Sequence, residues 1–590
     1  MKKLIIMLAL FLFWGCQNKE NTATMPSHDA LGKLVDTYYE DQLKLNPVNA
    51  TVNGDNRYND QLTFDFTDSH RAKLKDLYQK TLVQLEGIDR ETLNDNDQLT
   101  FNILKRELNL NLKGLGFKDN YIPLNQFYSF HLIFAQLGSG SVIQPFKNVK
   151  DYDNWLKRME LGAVYLDSTQ TYFRKGMANK FVLPKILVEK MIGQLESFTT
   201  KDITKSTFYG PITNLPKNFS AEDKKRLTAA YTLVIQNQVI PAYERIAAFL
   251  KKEYLPVART SAGISEVPDG QAYYTYLIET MTTTKKPAEE IYQMGLKEVK
   301  RIQSEMIRIK NTVGFKGDLP AFFEYMKNDP KFYPYQKPEE VLAAFHAIHK
   351  KMEPKLMEMF ANKPKTPFEI RQTEAFRAAS ASAEYFAGSE DGTRPGIFYV
   401  PILDAKNFNY SSGMESLFLH EAIPGHHYQI SLQQENKSIP KYRRFGGNSA
   451  YAEGWALYTE SLGKELGLYT DPYQYMGALG DEMHRAIRLV VDVGIHVKKM
   501  TREEAIDYMM ANEQISLQGA TAEIERYMVI PAQALSYKIG ALKIREIREK
   551  VKTQLADKFN LAKFHDEILK DGNMPLEVLE AKMDRWAKKQ

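Results

Sequence analysis

Residues 417–427 read Leu-Phe-Leu-His-Glu-Ala-Ile-Pro-Gly-His-His, a cluster of imidazoles with one carboxylate between them. These are donors that a zinc ion takes, and a glutamate beside a metal histidine can accept a proton from water. The usual helical arrangement has its two histidines at i and i+4, on one face. Here the spacing is H-E-x4-H, so an unbroken helix would set His420 and His426 about 240° apart. His427 would return to the face of His420 but stand about 10 Å along the axis. Either one meets His420 only where the helix opens. Pro424 removes a backbone bond and crowds the preceding turn, and Gly425 permits unusual backbone. The spacing therefore predicts a bulged helix, with His426 and His427 both open as the second ligand beside His420 and the base Glu421.

A catalytic zinc needs a third protein ligand and an open position. Residues 448–458 read Asn-Ser-Ala-Tyr-Ala-Glu-Gly-Trp-Ala-Leu-Tyr, where Glu453 is the lone acid in a small and aromatic stretch. A core-facing carboxylate needs a metal or a partner, which makes Glu453 the candidate third ligand. Asn448 caps the expected helix and Gly467 ends it. Glu460, seven residues on, falls on nearly the same face as an outer partner.

Further along, His484, Arg488, Asp492 and His496 recur every four residues among Ile, Leu and Val. That reads as a buried polar network or groove wall. Arg488 suits bidentate binding of a peptide carboxylate, and Asp492 suits an Arg or His neighbour. Residues 524–527 then bring Arg526 and Tyr527, followed by Gln533 and Tyr537. A phenol near the metal can donate to a tetrahedral oxyanion, and either tyrosine can equally be core.

The elements that must position these groups are helices. Gly (33) and Pro (25) are sparse in 590 residues, so helix interiors can run long. Apolar residues at three- and four-residue spacing mark 221–250, 288–312 and 338–360. Ser220/Asp223, Ser412/Glu415 and Thr501/Glu504 look like capping boxes, and Pro287 and Pro338 open helices ahead of glutamate pairs. The β candidate is residues 396–402, and Pro401 within it argues for an edge strand. No composition shift marks a boundary, so residues 29–590 read as one large helical domain.

Composition limits the function classes. With 43% hydrophobic and 26% charged residues the chain is globular, and a net charge of +5 spread evenly leaves no nucleic-acid footprint. The single cysteine excludes a disulfide framework and a cysteine zinc site. It is Cys16, at the end of MKKLIIMLALFLFWGC. Two lysines, a short apolar run and Gly15-Cys16 predict a signal peptide over 1–15 and lipidation of Cys16. The run is too short to span a bilayer. Gln17, rather than Asp, after the cysteine points to outer-membrane retention, and residues 16–28 read as a flexible tether.

HEAIPGHH, DGTRPGIFYV (391–400), YAEGW, RLVVDVGIH (488–496) and ERYMVIPAQALSYKIG (525–540) together resemble the bacterial family called domain of unknown function 885. LNPVNATVNGDNRYND (45–60) and PDGQAYY (268–274) do so too, and the resemblance spans nearly the whole chain after the leader. The catalytic half, about 390–545, is also similar to the helical gluzincin metallopeptidases, the angiotensin-converting enzyme and thimet oligopeptidase type. That resemblance implies a mainly α fold with a small antiparallel β edge and a deep groove between helical halves. It implies one zinc ion on His420, His426 (or His427) and Glu453, with Glu421 as base and Tyr527 as oxyanion donor. It also implies that the strand carrying Gly396, Phe398 and Tyr399 pairs with extended substrate. Arg488, His496, Arg526 and Tyr537 complete the expected substrate wall. Leu457 stands where the family often has a second acid, so the outer partners must differ. The expected activity is hydrolysis of oligopeptides, of carboxypeptidase or dipeptidyl carboxypeptidase type, by a lipoprotein that meets the membrane only through its N-terminal lipid. The rival expectation is a non-catalytic surface-binding lipoprotein or a pseudo-peptidase.

Overall fold

Helix after helix forms where the apolar spacing is three and four, and the breaks fall at proline, glycine and capping side chains. The computed structural model describes residues 27–140, 143–373, 382–388 and 394–590. The leader, Cys16, most of the tether and residues 391–393 lie outside these. The helices that matter for the site begin with α1 (Ser27–Leu45), α2 (Asp95–Gly114), α3 (Ala288–Thr312) and α4 (Pro338–Met359). A sheet of β1 (Phe368–Gln372), β2 (Glu384–Phe386) and β3 (Gly396–Val400) follows. After it come α5 (His426–Glu435), α6 (Ser449–Glu460), α7 (Pro472–Val497), α8 (Leu517–Val529) and α9 (Leu535–Leu555). The chain is mainly α, as its spacing predicts. Among the described residues no helix is long and apolar enough to cross a membrane.

Three apolar cores organise the packing. α1 and α2 share the largest with residues 264–587, so the N-terminal helices close over the C-terminal half of the chain. The helices between Leu124 and Tyr254 hold a second core. A third lies where α3 packs along α7 and meets α8. At the α3–α7 crossing Gly295 lies so close to Leu489 and Val490 that a Cβ would stand 2.8 Å from both side chains.

The structure corrects several local expectations. β3 is the central strand of a mixed sheet ordered β1-β3-β2, parallel to β1 and antiparallel to β2. Pro401 lies just beyond the strand and so blocks no ladder bond. Ser412 and Glu415 form no box: Gly413, at φ 85°, precedes the helix turn, and Glu415 accepts from the Tyr469 N–H. Thr501/Glu504 does form one. The 221–250 helix is interrupted by a π turn at Ile235–Val239. α6 ends at Glu460, and Gly467 closes a later turn at φ 80°. Ser27 and His28, expected in the tether, are already helical.

Candidate metal centre

The expected bulge is present. The chain runs as a π turn over Phe418–Ala422, leaves the helix at Ile423 and re-enters one at His426. A π turn offsets the ring positions by one residue relative to an α-helix, and together with the loop it undoes the H-E-x4-H mismatch. Gly425 is required there, because a Cβ would meet the His420 carbonyl oxygen at 1.9 Å. α6 holds the irregular backbone from behind: Trp455 Nε1 donates to the Pro424 carbonyl (2.9 Å), and Thr459 Oγ1 donates to the Leu419 carbonyl (2.8 Å). The same helix supplies Glu453 and Glu460. It is placed by α9, whose Gly540 stands against Gly454; a Cβ on Gly540 would lie 2.0 Å from the Ala450 oxygen.

These elements bring His420, His426 and Glu453 together. Glu453 Oε2 lies 3.5 Å from His420 Nε2 and 3.7 Å from His426 Nε2. Ligand atoms around a tetrahedral zinc are about 3.4 Å apart, given metal–ligand bonds near 2.0–2.1 Å, so the donor set and its spacing fit that ion. Donor atoms of His420, Glu421 and His426 also lie within 4.8 Å of one another, which keeps Glu421 beside the cradle. His420 Nδ1 meets Glu460 Oε1 at 2.7 Å, an outer carboxylate that fixes the ring with Nε2 facing Glu453. Burial works against a charged His420, but the Glu453 and Glu460 carboxylates outweigh it and push its pKa up to about 10. Burial likewise opposes the Glu453 charge, yet the two imidazoles hold that carboxyl well below its usual range.

His427 is turned away. Its Nδ1 lies 2.9 Å from the Tyr385 hydroxyl and 3.4 Å from Ser431 Oγ, and its ring packs on Phe368. Burial lowers its pKa to about 4. Of the two histidines left open by the sequence, His426 is the one that faces Glu453.

Behind Glu460 lies support that the sequence reading missed. Ser416, one turn before His420, donates to Asp481 Oδ2 (2.6 Å), and Arg485 Nη1 donates to the Asp481 backbone oxygen at 3.2 Å. Burial is the main reason that Asp481 is pushed up to about 6. Asp481 and Arg485 repeat the i, i+4 spacing of the His484–His496 stripe on α7 but one residue out of step, and so lie on the next face.

The expected substrate wall is a closed network. Arg488 Nε donates to the Tyr527 hydroxyl (2.8 Å) and Nη2 to Glu523 Oε2 (3.0 Å), with the guanidinium 4.5 Å from the Tyr537 ring centre. Tyr527 donates to the same Glu523 oxygen. His484 Nε2 is 3.4 Å from Glu523, and its Nδ1 is 2.9 Å from Glu513. Burial opposes the Glu523 charge, but His484, Arg488 and Arg526 hold it far below the normal range. Glu523, the hub, was not singled out by sequence; it sits three residues before Arg526 and four before Tyr527, the spacing that shares a helix face. Arg526 donates to Gln533 Oε1 (2.7 Å) and lies over Phe127. His496 accepts from the Ile264 N–H and donates to the Tyr527 carbonyl, both at 3.0 Å, so it is a neutral core histidine. Burial pushes its pKa down to about 3. Asp492 holds Tyr274 and the Ala532 N–H rather than an Arg or His, and burial pushes it up to about 7.

The strand residues do not line an open edge. Phe398 is fully buried against Phe345 and Phe418, and Gly396 is needed because a Cβ would meet the Tyr385 hydroxyl at 2.2 Å and His427 Nδ1 at 2.9 Å. Tyr399 packs edge-on against Phe386. With β1 and β2 on its two sides, β3 has no free ladder for substrate, and the β-pairing role expected of Gly396, Phe398 and Tyr399 is not available. Tyr537 differs from Tyr527. α9 runs beside α6 with Ser536 Oγ 2.8 Å from Ser449 Oγ and Gly540 against Gly454, and no hydrogen bond of the Tyr537 hydroxyl is present among the described residues.

A family model described as "Bacterial protein of unknown function (DUF885)" matches residues 47–583. No curated protein matches the chain. A candidate lipoprotein from Colwellia psychrerythraea superposes with a TM-score of 0.87 at 28% identity, covering 96% of this chain and 100% of that one. Another, of unknown function, from Shewanella oneidensis gives 0.74 at 20% identity, over 94% and 99%. A Pyrococcus furiosus carboxypeptidase gives 0.33 at 11% over 88% and 97%, too low to argue from.

Proposed function

We propose that this chain, which belongs to the DUF885 family of bacterial proteins, is a zinc-dependent peptidase anchored by a lipid on Cys16 in the cell envelope, at the outer membrane. The observation that supports it most is that Glu453 lies 3.5 and 3.7 Å from the Nε2 atoms of His420 and His426, close to the spacing of zinc ligands, with Glu421 beside the two histidines. The envelope reading rests on the MKKLIIMLALFLFWGC leader and on the description of the Colwellia and Shewanella relatives as candidate lipoproteins.

His420, His426 and Glu453 would hold the ion, and Glu460 orients the His420 ring. When bound, zinc supplies Lewis-acid polarisation and acidifies a water. Glu421 takes the proton from the attacking water and returns it to the leaving amine. An oxyanion needs a phenol whose hydrogen is not already given away. Tyr527 gives its own to Glu523, so Tyr537, on the helix that packs along α6, takes the donor role and Tyr527 becomes a support for Arg488. Arg488 spends Nε on Tyr527 and Nη2 on Glu523, while the buried Nε of Arg526 has no partner among the described residues, so Arg526 is assigned to receive a substrate carboxylate in a carboxypeptidase-type cleavage. Unchanged kinetics on C-terminally amidated peptides would remove that last assignment.

The test is a fluorogenic oligopeptide set with the zinc-loaded protein and Glu421→Gln. Cleavage by the first, and none by the second while zinc content is equal, supports the enzyme. No cleavage by either makes the chain a binding lipoprotein or a pseudo-peptidase.

A further inference from the structure

A cavity of about 500 Å³ opens at the N-terminal end of α6, walled by α1, α2 and the turn that leads into α6. That volume lies within the range of small-molecule sites. Two charges in its wall lack an opposite charge of their own. The first is Glu107 of α2. It accepts from the Tyr442 hydroxyl, and no Lys, Arg or His among the described residues forms an ion pair with it. Burial pushes its pKa up, and the Tyr442 bond and the more distant Arg106 offset that only in part. Arg106 itself is spent on Glu577, Nε to Oε1 at 2.6 Å. The second is Arg443, 3% exposed. Its Nη1 donates to the Asn96 and Thr100 side chains (3.1 Å each) and its Nη2 to the Asp571 carbonyl, all neutral acceptors. The Asp571 carboxylate goes to Lys582 (2.7 Å), and the Arg443 Nε has no partner among the described residues.

Each charge has neighbours of matching hydrogen-bond sense. Near Glu107 they are acceptors. Gln42 spends its Nε2 on the Tyr38 hydroxyl (2.8 Å), and Asn46 spends its Nδ2 on the Gln42 carbonyl (3.1 Å). Their amide oxygens accept no hydrogen bond from the described residues. The Tyr38 ring lies 5.7 Å from that of Tyr442, the partner of Glu107, which puts these groups on one side of the cavity. Near Arg443 they are donors. The chain runs from Arg443 into the twelve-residue α6. The N–H groups of Gly446, Gly447 and Ser449 donate to no described residue, and the Asn448 side chain caps the Tyr451 N–H alone. Free N–H groups at the positive end of a helix favour an anion.

A helix start by itself is simply hydrated. Here a buried guanidinium without a carboxylate stands beside it, and a carboxylate without a cation stands in the same wall. Buried charges left so are costly, and a molecule that carries both opposite charges relieves both. A singly charged molecule would relieve one and leave the other. An ammonium group has three N–H donors, the number of acceptors that Glu107, Gln42 and Asn46 present.

We propose that this cavity binds a small zwitterion, an α-amino acid or a short unblocked peptide. Its ammonium meets Glu107, Gln42 and Asn46, and its carboxylate meets the start of α6 beside Arg443. The site needs no metal and no cleavage, so it stands or falls apart from the peptidase reading. The test is isothermal titration calorimetry on the metal-free full chain, because amino acids also chelate zinc. The probes are the common free amino acids and a set of alanyl dipeptides, each beside its N-acetyl and its C-amide form. The two sets tell an amino-acid site from a peptide site. At least one unblocked probe should bind with a Kd below about 1 mM, and each of its blocked forms at least tenfold more weakly. Glu107→Gln should bring the free and N-acetyl forms within threefold of one another. Arg443→Gln should do the same for the free and C-amide forms. His426→Ala should bind as the wild type does. No probe with a Kd below about 1 mM, or blocked forms within threefold of the free probe on the wild type, overturns the site. Wild-type preferences in folded Glu107→Gln and Arg443→Gln, or loss of binding in His426→Ala, overturn it too. Where a wall variant does not fold, the blocked forms on the wild type decide.

Discussion

Two buried polar clusters lie on neighbouring helices and look alike in composition, yet they are built to opposite rules. Around Arg488, donors and acceptors answer one another: guanidinium to phenol and carboxylate, phenol to the same carboxylate, imidazole to carboxylates on both nitrogens. Around His420 the groups that face each other are three that attract a cation, and among the described residues the partner within 3 Å is Glu460, on the outward nitrogen of His420. The buried His426 Nδ1 has none among the described residues. A saturated network holds helices in place; an unsaturated set of donors at metal spacing is left to bind something. The lesson is that residue type nominates a site, and the balance of donors and acceptors decides between structure and chemistry.

The comparison can be broken most decisively at Glu421. Changing it to Gln should cut kcat by about 10²–10⁴ with zinc content unchanged, the range for a lost general base. Equal activity in that variant would remove the residue from the mechanism. Next come the phenols. Tyr537→Phe should lower kcat about 10²–10³-fold with little change in melting temperature. Tyr527→Phe should do the reverse, reducing stability by about 1–3 kcal/mol in urea unfolding for the loss of a bond to buried charge. If the two results were exchanged, the closed cluster would be the catalytic one.

The outer carboxylate gives a smaller effect. Glu460→Gln should weaken zinc binding about 10–100-fold in competition with a chelator, because the His420 ring loses its orienting partner. A pH slope tests the closed cluster by another route. His496 is held neutral, with its folded pKa depressed to about 3, so its share of stability is full above about 6.5 and is lost as pH falls toward 3. In that window the unfolded chain binds the extra proton, and the slope reaches about 1.4 kcal/mol per pH unit. His496→Gln should flatten the fall in denaturation midpoint across this range; an unchanged slope would mean the ring is protonated in the fold.

Much of this was legible in the sequence where local chemistry decides. Pro287 and its following glutamates open α3, and the Thr501/Glu504 box starts its helix as expected. Pro424-Gly425 within H-E-x4-H announces the break that lets His426 reach Glu453. What was not legible depends on distant partners. The strand at 396–400 takes its central place from β1 and β2, which carry no pattern that names their partner. His426 and His427 are told apart by Tyr385, forty residues earlier, occupying one of them. Tyr527 reads as a free phenol until Glu523 is seen beneath it.

The most direct measurement is the zinc content of wild type, His426→Ala and His427→Ala, purified without chelator, then offered zinc and dialysed. About one ion per chain is expected in the wild type and His427→Ala, and almost none in His426→Ala. A wild type that holds no zinc, or a loss confined to His427→Ala, would contradict the proposed metal centre.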